Sequence, residues 1–334
     1  MRITLADIAR KAGVSKMTVS RVISGKGQIA AETRVRVMRI IDEMGYHPNL
    51  IARSLASRRS MILGVIIPWK ERLLLDNYFA QVLSGVTDVA LRHNYRILLC
   101  PVEIDRNDRK QYVNITRTRL LDGLILVQTK TDDPNIDGLA DSGFPFVLVN
   151  QRRNSKNCSF VDSQNIMGAQ TAVRYLYDRG HRDIAFVAGS MDESNGRDRF
   201  QGYRQTLKAL GLPYREERVV YGDFSEETAY RESARLFQGG ERPTAVFCSD
   251  DYMAIGVMRR IHESGLRVPE DIAVVGFDDI EMAAHLQPTL TTVRQQMVEL
   301  GRTSADILLA LIEGGRKASV RRLLPTELVK RNSA

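Results

Sequence analysis

The feature that most limits what this 334-residue chain can fold into is an alternation that begins at Met61. Short runs dense in Val, Ile and Leu recur at 62–67, 95–99, 123–127, 146–149, 184–187, 244–248 and 272–275. Amphipathic stretches of helical period lie between them, near 78–92, 108–119, 164–179, 197–209, 226–238 and 251–263. A strand that is apolar throughout must be covered on both faces, and a parallel strand needs a crossover to return. The two patterns in alternation therefore predict parallel sheets clad by helices on both sides. The number of such units over about 270 residues exceeds what one hydrophobic core holds, so two sheets are expected.

The first 60 residues do not follow this pattern and carry the chain's whole net charge of +8. They hold twelve basic residues against four acidic ones, and the rest of the chain balances at 36 against 36. A basic excess confined to one short segment points to a polyanion as that segment's partner, nucleic acid before an anionic membrane. No apolar run approaches the ~18 residues of a membrane span. Met1 to Arg10 lacks the apolar stretch of a signal peptide, so a cytoplasmic protein without membrane contact is expected. Cys100, Cys158 and Cys248 are dispersed and form no CxxC pair, which argues against a disulfide framework or a zinc site. Buried thiols are expected instead.

Four helical signals fall within the first 56 residues. Thr4 precedes the set Leu5, Ile8, Ala9, Ala12, with Asp7 completing a box-like start and Gly13 at the end. Ser15 is placed to cap a second helix whose inner face is Val19, Val22 and Ile23. The link between the two, Gly13 to Ser15, is the short glycine-containing turn of a helix-turn-helix. A third helix is expected over about Glu32 to Met44, with Val37, Ile40, Ile41 and Met44 inward and a break at Tyr46-His47-Pro48-Asn49. Asn49 to Ala56 reads as a short fourth helix, or as an ordinary exposed linker. On the second helix Met17, Ser20 and Arg21 lie opposite the inner face, with Lys16 beside them. The N-terminal part of such a helix meets base edges in the major groove. Arg and Lys suit guanine, and an apolar tip suits a thymine methyl.

The stretch "TLADIARKAGVSKMTVSRVISGKGQIAAETRVRVMRIIDEMGYHPNLIARSLAS" closely resembles the head of the LacI/GalR family of bacterial transcriptional regulators. The resemblance runs on through "DGLILV", "DRGHRDIAFVAG", "AVFCSDDYMAIGVMRRIHESGLRVPEDIAVVGFDD" and "PTLTTVRQQMVELG", nearly the whole chain. It implies Thr4, Ser15, Lys16, Met17, Ser20 and Arg21 as DNA contacts, with Lys16 and Met17 choosing the operator. It also implies a hinge helix carrying Asn49, Ala52 and Leu55 into the minor groove, where Leu55 would wedge between base steps. Ala30 departs from the Ser or Thr that usually caps the family's third helix. A missing cap costs about 0.5–2 kcal/mol.

The fold implied is α/β: a helix-turn-helix head and a core like that of type I periplasmic binding proteins, with two doubly wound parallel-sheet subdomains. The expected division is 1–46 for the head and 47–60 for the hinge. The first subdomain would be 61–161 with 295–323, and the second 162–294 with 324–331.

Open parallel sheets bind ligands beyond the carboxyl ends of their strands. There the sequence places Pro68 and Trp69, Asn77 to Phe79, Asn150, Arg197 and Arg199, Phe224, Asp250 and Asp251, and Asp278 and Asp279. Carboxylates, amides and aromatic faces suit a polyhydroxylated ligand. Trp69 fits a sheet-edge cover equally well, and Asp251 and Asp279 fit helix caps. The family resemblance implies Asn150, Arg199, Phe224, Asp250 and Asp278 as the ligand-facing residues, and with Asn77 and Phe79 from the strand ends these make the candidate effector set.

Asn150 and Met297 stand where the family's lactose-responsive member has an aspartate and a phenylalanine. With Arg197 and Arg199 nearby, and a Lys16-Met17 pair similar to gluconate-type regulators, a sugar acid is a candidate beside a neutral sugar. No phosphate loop, HExxH or GxSxG motif is present. Catalysis, cofactors and metals are therefore not expected. The reading is a regulator, a repressor by expectation, acting as a homodimer on a pseudo-palindromic operator. The dimer is expected because no heptad tail follows "LVKRNSA".

Overall fold

The computed structural model describes residues 3–24, 27–46, 59–68, 77–102, 110–153, 158–238, 241–314 and 319–334. It divides into two compact units, a head of residues up to Met61 and a body of most of the remainder.

The head holds α1 (Leu5–Ala12), α2 (Lys16–Ser24) and α3 (Ala31–Glu43). Its core is Ile8, Ala9, Ala12, Val19, Val22, Val37, Ile40 and Ile41, with Ile23 and Met44 packed at the margin. The caps explain the boundaries. The Asp7 carboxylate accepts from the Thr4 backbone N–H at 3.0 Å and its hydroxyl at 2.7 Å. Those bonds hold the Asp7 carboxyl below its ordinary range. Gly13 ends α1 at φ 64°, and the Val14 N–H returns to the Ala9 carbonyl at 3.0 Å. This is the left-handed C-terminal turn that glycine takes without strain. Ser15 Oγ accepts from the Thr18 N–H at 3.0 Å and starts α2. α3 begins at Ala30 with no side-chain cap. It ends three residues before the expected break, because Gly45 turns the chain at φ 59° and Tyr46 N–H bonds back to Ile41.

The body contains two six-stranded sheets. The first uses β1 (Ile62–Pro68), β2 (Arg96–Val102), β3 (Gly123–Val127), β4 (Phe146–Val149), β5 (Ser159–Ser163) and β11 (Arg321–Leu324), in the order β11-β5-β4-β3-β1-β2. The second uses β6 (Ile184–Ala188), β7 (Val219–Tyr221), β8 (Ala245–Cys248), β9 (Ala273–Asp278), β10 (Thr291–Arg294) and β12 (Glu327–Val329), in the order β12-β10-β9-β8-β6-β7. All neighbours are parallel except β12, which runs antiparallel to β10. β3, β4, β6 and β8 are buried at every position, as their uninterrupted apolar composition requires.

The covering helices are α4 (Asn77–Arg92), α5 (Gln111–Arg117), α6 (Pro134–Ser142), α7 (Asn165–Asp178), α8 (Ser194–Ala209), α9 (Glu226–Phe237), α10 (Asp251–Glu263) and α11 (Met297–Ile312). Several elements escape the sequence reading, α11 and β11 among them. β5 (SFVDS) and β10 (TTVR) are mostly small or polar, so they carry no apolar run. α6 (PNIDGLADS) contains Gly and four polar residues within nine, yet Asp133 caps it through the Asn135 N–H at 2.9 Å. Cys158 and Cys248 are buried thiols outside any disulfide, and Cys100 is half-buried. His181 bonds Thr244 at 3.1 Å in a turn, as an isolated histidine of this kind should.

Candidate functional site

On the head, Val19 and Val22 anchor α2 inward and turn Met17 outward at 64% exposure. Lys16 and Arg21 are exposed, and Ser20 is half-buried between them. An apolar side chain left that exposed next to cations has no packing role within the head. It matches the face of a helix that meets DNA. Ser15 and Thr4 sit at the amino ends of α2 and α1, where both act as caps. Asn49, Ala52 and Leu55 lie outside the described residues.

In the body both sheets have the 2-1-3-4-5 order of doubly wound folds, with switch points between β1 and β3 and between β6 and β8. Asn77 starts α4 after β1, Thr129 follows β3, and Asn150 follows β4. Phe224 follows β7, Ser249 and Asp250 follow β8, Asp278 ends β9, and Gln295 follows β10. Asn77 Nδ2, Thr129 Oγ1, both amide atoms of Asn150, Ser163 Oγ, Ser249 Oγ and Gln295 Oε1 are buried without a hydrogen-bond partner. Folded proteins satisfy nearly all such groups internally. These atoms lie at or just beyond carboxyl ends of strands in both sheets, where doubly wound folds take ligands. The backbone agrees. Gln128, Asn150, Asp223, Phe224, Asp278 and Asp279 all have positive φ, from 51° to 123°. Strained backbone of this kind concentrates at functional sites.

Arg199 is the hub of the second lobe's share. Its side chain is 1% exposed, with the guanidinium 3.8 Å from the centre of the Phe277 ring. Nε donates to Asn165 at 2.9 Å, and Nη1 donates to the Ser249 carbonyl at 2.5 Å and stands 3.5 Å from Asp278. Nη2 is buried and unpartnered. Asp278 also accepts from Gln295 Nε2 at 2.6 Å, and Asn165 donates to Asp162 at 2.9 Å. The chain Asp162–Asn165–Arg199–Asp278–Gln295 thus spans both lobes. Phe224 lies on Gly189 so closely that a Cβ there would stand 2.2 Å from its ring. Phe79 is 1% exposed in the first turn of α4.

Several sequence expectations are redistributed. Asp250, not Asp251, caps α10, accepting from the Met253 N–H at 2.7 Å. Asp251 is fully buried, accepts from Ile280 N–H at 2.9 Å and Thr292 Oγ1 at 2.5 Å, and is pushed well above the usual carboxylate range by burial. Asp279 caps nothing; it pairs with Arg294 at 2.7 Å and Arg331 at 2.6 Å. Arg197 turns away from Arg199, toward the Met191 carbonyl and to 3.7 Å from Asp132. Trp69 lies outside the described residues. Asn165, Ser249 and Gln295 carried no signal in the sequence, since their roles come from partners up to 50 residues away. Asp162 was equally silent. It is fully buried, and burial raises it to about 6 although Arg152 lies 3.2 Å away.

Among the described residues the two lobes meet along a strip on these strand ends. Thr131 N–H donates to the Asp192 carbonyl at 2.7 Å, and Lys130 pairs with the Asp192 carboxylate at 3.3 Å. Arg152 reaches Asp162 at the end of β5 in the first sheet and Asp198 on α8. Ser194 Oγ donates to the Asn150 carbonyl at 3.4 Å.

A head that presents a DNA-reading helix, joined to a two-lobed body with its polar site between lobes, defines a class: ligand-responsive DNA-binding proteins. Comparison with known proteins agrees. Residues 4–49 match the model of bacterial regulatory proteins of the lacI family, and residues 173–334 match a periplasmic binding protein-like domain. The HTH-type transcriptional regulator CelR of Thermobifida fusca is 35% identical over 99% of this chain and 98% of its own length. The lac repressor dimer bound to operator and the anti-inducer ONPF aligns with a TM-score of 0.87 at 31% identity, covering 100% of this chain and 99% of that one. A CelR–cellobiose complex aligns at 0.78 with 34% identity and full coverage of both chains. The chain belongs to the lacI family of bacterial regulatory proteins. It is a DNA-binding transcriptional regulator, not an enzyme.

Proposed function

We propose that the chain is a repressor whose operator affinity is set by a small polyhydroxylated effector held between the lobes. The observation that carries this reading is the set of buried, unpartnered polar atoms at Asn150, Arg199, Ser249 and Gln295. The proposed effector contacts are Asn77, Asn150, Arg199, Phe224, Asp250 and Asp278, with Phe79 supporting them from the core. Phe224 would offer its ring to the C–H face of a sugar. A relative solved with cellobiose supports a carbohydrate.

Charge favours a neutral sugar over a sugar acid. Arg197 faces Asp132 and the Met191 carbonyl, and Arg199 is already matched by Asp278. Asp250 adds a further carboxylate at the same strand ends. An added anion would thus meet no unmatched cation among the described residues of this cluster.

Lys16, Met17, Ser20 and Arg21 are proposed to read bases in a pseudo-palindromic operator, with Thr4 and Ser15 at its backbone. Asn49, Ala52 and Leu55 are proposed for the minor groove, in a cytoplasmic homodimer. The proposed division is 1–46 head, 47–60 hinge, 61–161 with 295–323, and 162–294 with 324–331. No described helix is long and apolar enough to cross a membrane.

The test is a thermal-shift screen of sugars, sugar acids and sugar phosphates. A neutral sugar should raise the melting temperature by several degrees at saturation, because it binds only the folded form. A shift given only by phosphates or acids would overturn the charge argument.

A further inference from the structure

α8 turns two faces to two tasks. Arg199 and Tyr203 point into the lobe. On the opposite face Arg197, Gln201, Arg204 and Lys208 follow one another at helical spacing and line a groove closed by Leu212 and Tyr214. The groove, open to solvent, has a volume of about 930 Å³, within the ~300–1,000 Å³ usual for small-molecule sites. Three cations line this groove and no carboxylate does. Arg204 and Lys208 form no ion pair among the described residues; Arg204 instead lies 5.0 Å from the Tyr214 ring and 5.6 Å from that of Phe200.

The two rings are 6.4 Å apart, tilted at 59°. Phe200 is anchored, stacking on Phe186 at 5.7 Å, whereas Tyr214 is 41% exposed. Holding like charges together without acids costs stability, and a surface that served only solubility would intersperse carboxylates. Cations along a groove beside an exposed aromatic face form a different pattern. A planar base stacks on the ring while phosphates meet the guanidinium and ammonium groups.

We propose that the outer face of α8 is a second ligand site, separate from the effector cluster, and that it takes a nucleoside polyphosphate. The base stacks on Tyr214 beside Arg204, and the phosphates lie along Arg204 and Lys208. Arg204 and Lys208 stand about one turn apart on one helix, or roughly 6 Å, room for a diphosphate. Nothing in this site uses the sugar-binding residues, so its fate is independent of the effector reading.

The experiment is a fluorescence titration of the full chain with a mant-labelled ADP, competed by ADP, adenosine and inorganic tripolyphosphate. ADP should displace the probe at least tenfold better than adenosine or tripolyphosphate. The double variant R204A/K208A should lose at least tenfold in affinity with an unchanged melting temperature, since both side chains are exposed. Tyr214→Ala should weaken ADP more than tripolyphosphate. Equal competition by tripolyphosphate and ADP would overturn the assignment. So would probe binding that survives R204A/K208A but disappears in Asn150→Gly, because the probe would then occupy the effector cluster.

Discussion

Asn150 and Arg199 belong to one cluster but should answer mutation in different ways. Arg199 is held by Asn165, the Ser249 carbonyl and Asp278. Arg199→Ala would remove the cation that faces the buried Asp278 carboxylate, a loss of about 3–5 kcal/mol in unfolding stability. Asn150 holds nothing through its side chain, as both amide atoms are unpartnered. At φ 57° it also occupies the left-handed region that glycine tolerates. Asn150→Gly should therefore leave stability within about 1 kcal/mol of the parent while abolishing the effector's thermal shift. A variant that melts like the parent and still shows the full shift would remove Asn150 from the site.

Asp162 supplies a pH signature at the same scale. Burial raises its folded pKa to about 6 from 3.8, so the folded chain holds this proton more tightly than the unfolded chain. Its contribution to stability is complete below pH ~4 and is lost as pH rises through 6. Asp162→Asn removes that titration. Its stability relative to the parent should rise between pH 4 and 6.5 by at most roughly 3 kcal/mol, read from urea midpoints; parallel pH profiles would contradict it.

At the scale of elements, caps and periodicity made most of the architecture legible. Gly13, Ser15 and the box at Thr4 locate α1 and α2 because each acts on neighbours within four residues. What stayed hidden depends on distant partners. β10 reads as polar, yet Thr292 is fully buried because its hydroxyl finds Asp251, 41 residues away. The adjacent acids of "SDDYMAIG" look interchangeable; only packing against β9 and β10 decides that Asp250 caps and Asp251 is buried. Ala30 is the case where local reading also predicts a weakness. Ala30→Ser would let a hydroxyl accept from the Thr33 N–H, and should stabilise α3 by about 0.5–2 kcal/mol. Slower hydrogen exchange at the first turn of α3 in the full chain is the check. Unchanged exchange would mean that the end is already satisfied by other means.

For the whole molecule, the division of charge and of polar sites assigns separate tasks. The +8 excess sits in the first 60 residues, so operator affinity should fall steeply and log-linearly with salt. A flat plot would contradict the phosphate contacts. Arg21→Ala should cost about 1–3 kcal/mol on the operator and little on random DNA if it reads a base. Control lies in the body, where the strip from Lys130 to Arg152 meets the strip from Asp192 to Asp198. A ligand bridging Asn150 and Arg199, as proposed, would draw the same two surfaces together. By linkage, effector and operator must change each other's affinity by the same factor.

The central claim is that one site between the lobes sets operator affinity. It is tested most directly by fluorescence anisotropy on an operator selected from random-sequence DNA, with neutral sugars titrated into parent and Asn150→Gly. The account predicts that both proteins bind the operator equally well and that at least one sugar shifts the parent's affinity by tenfold or more. It predicts that the same sugar leaves the variant unmoved. An equal response from both proteins, or a parent unaffected by every sugar that raises its melting temperature, would contradict it.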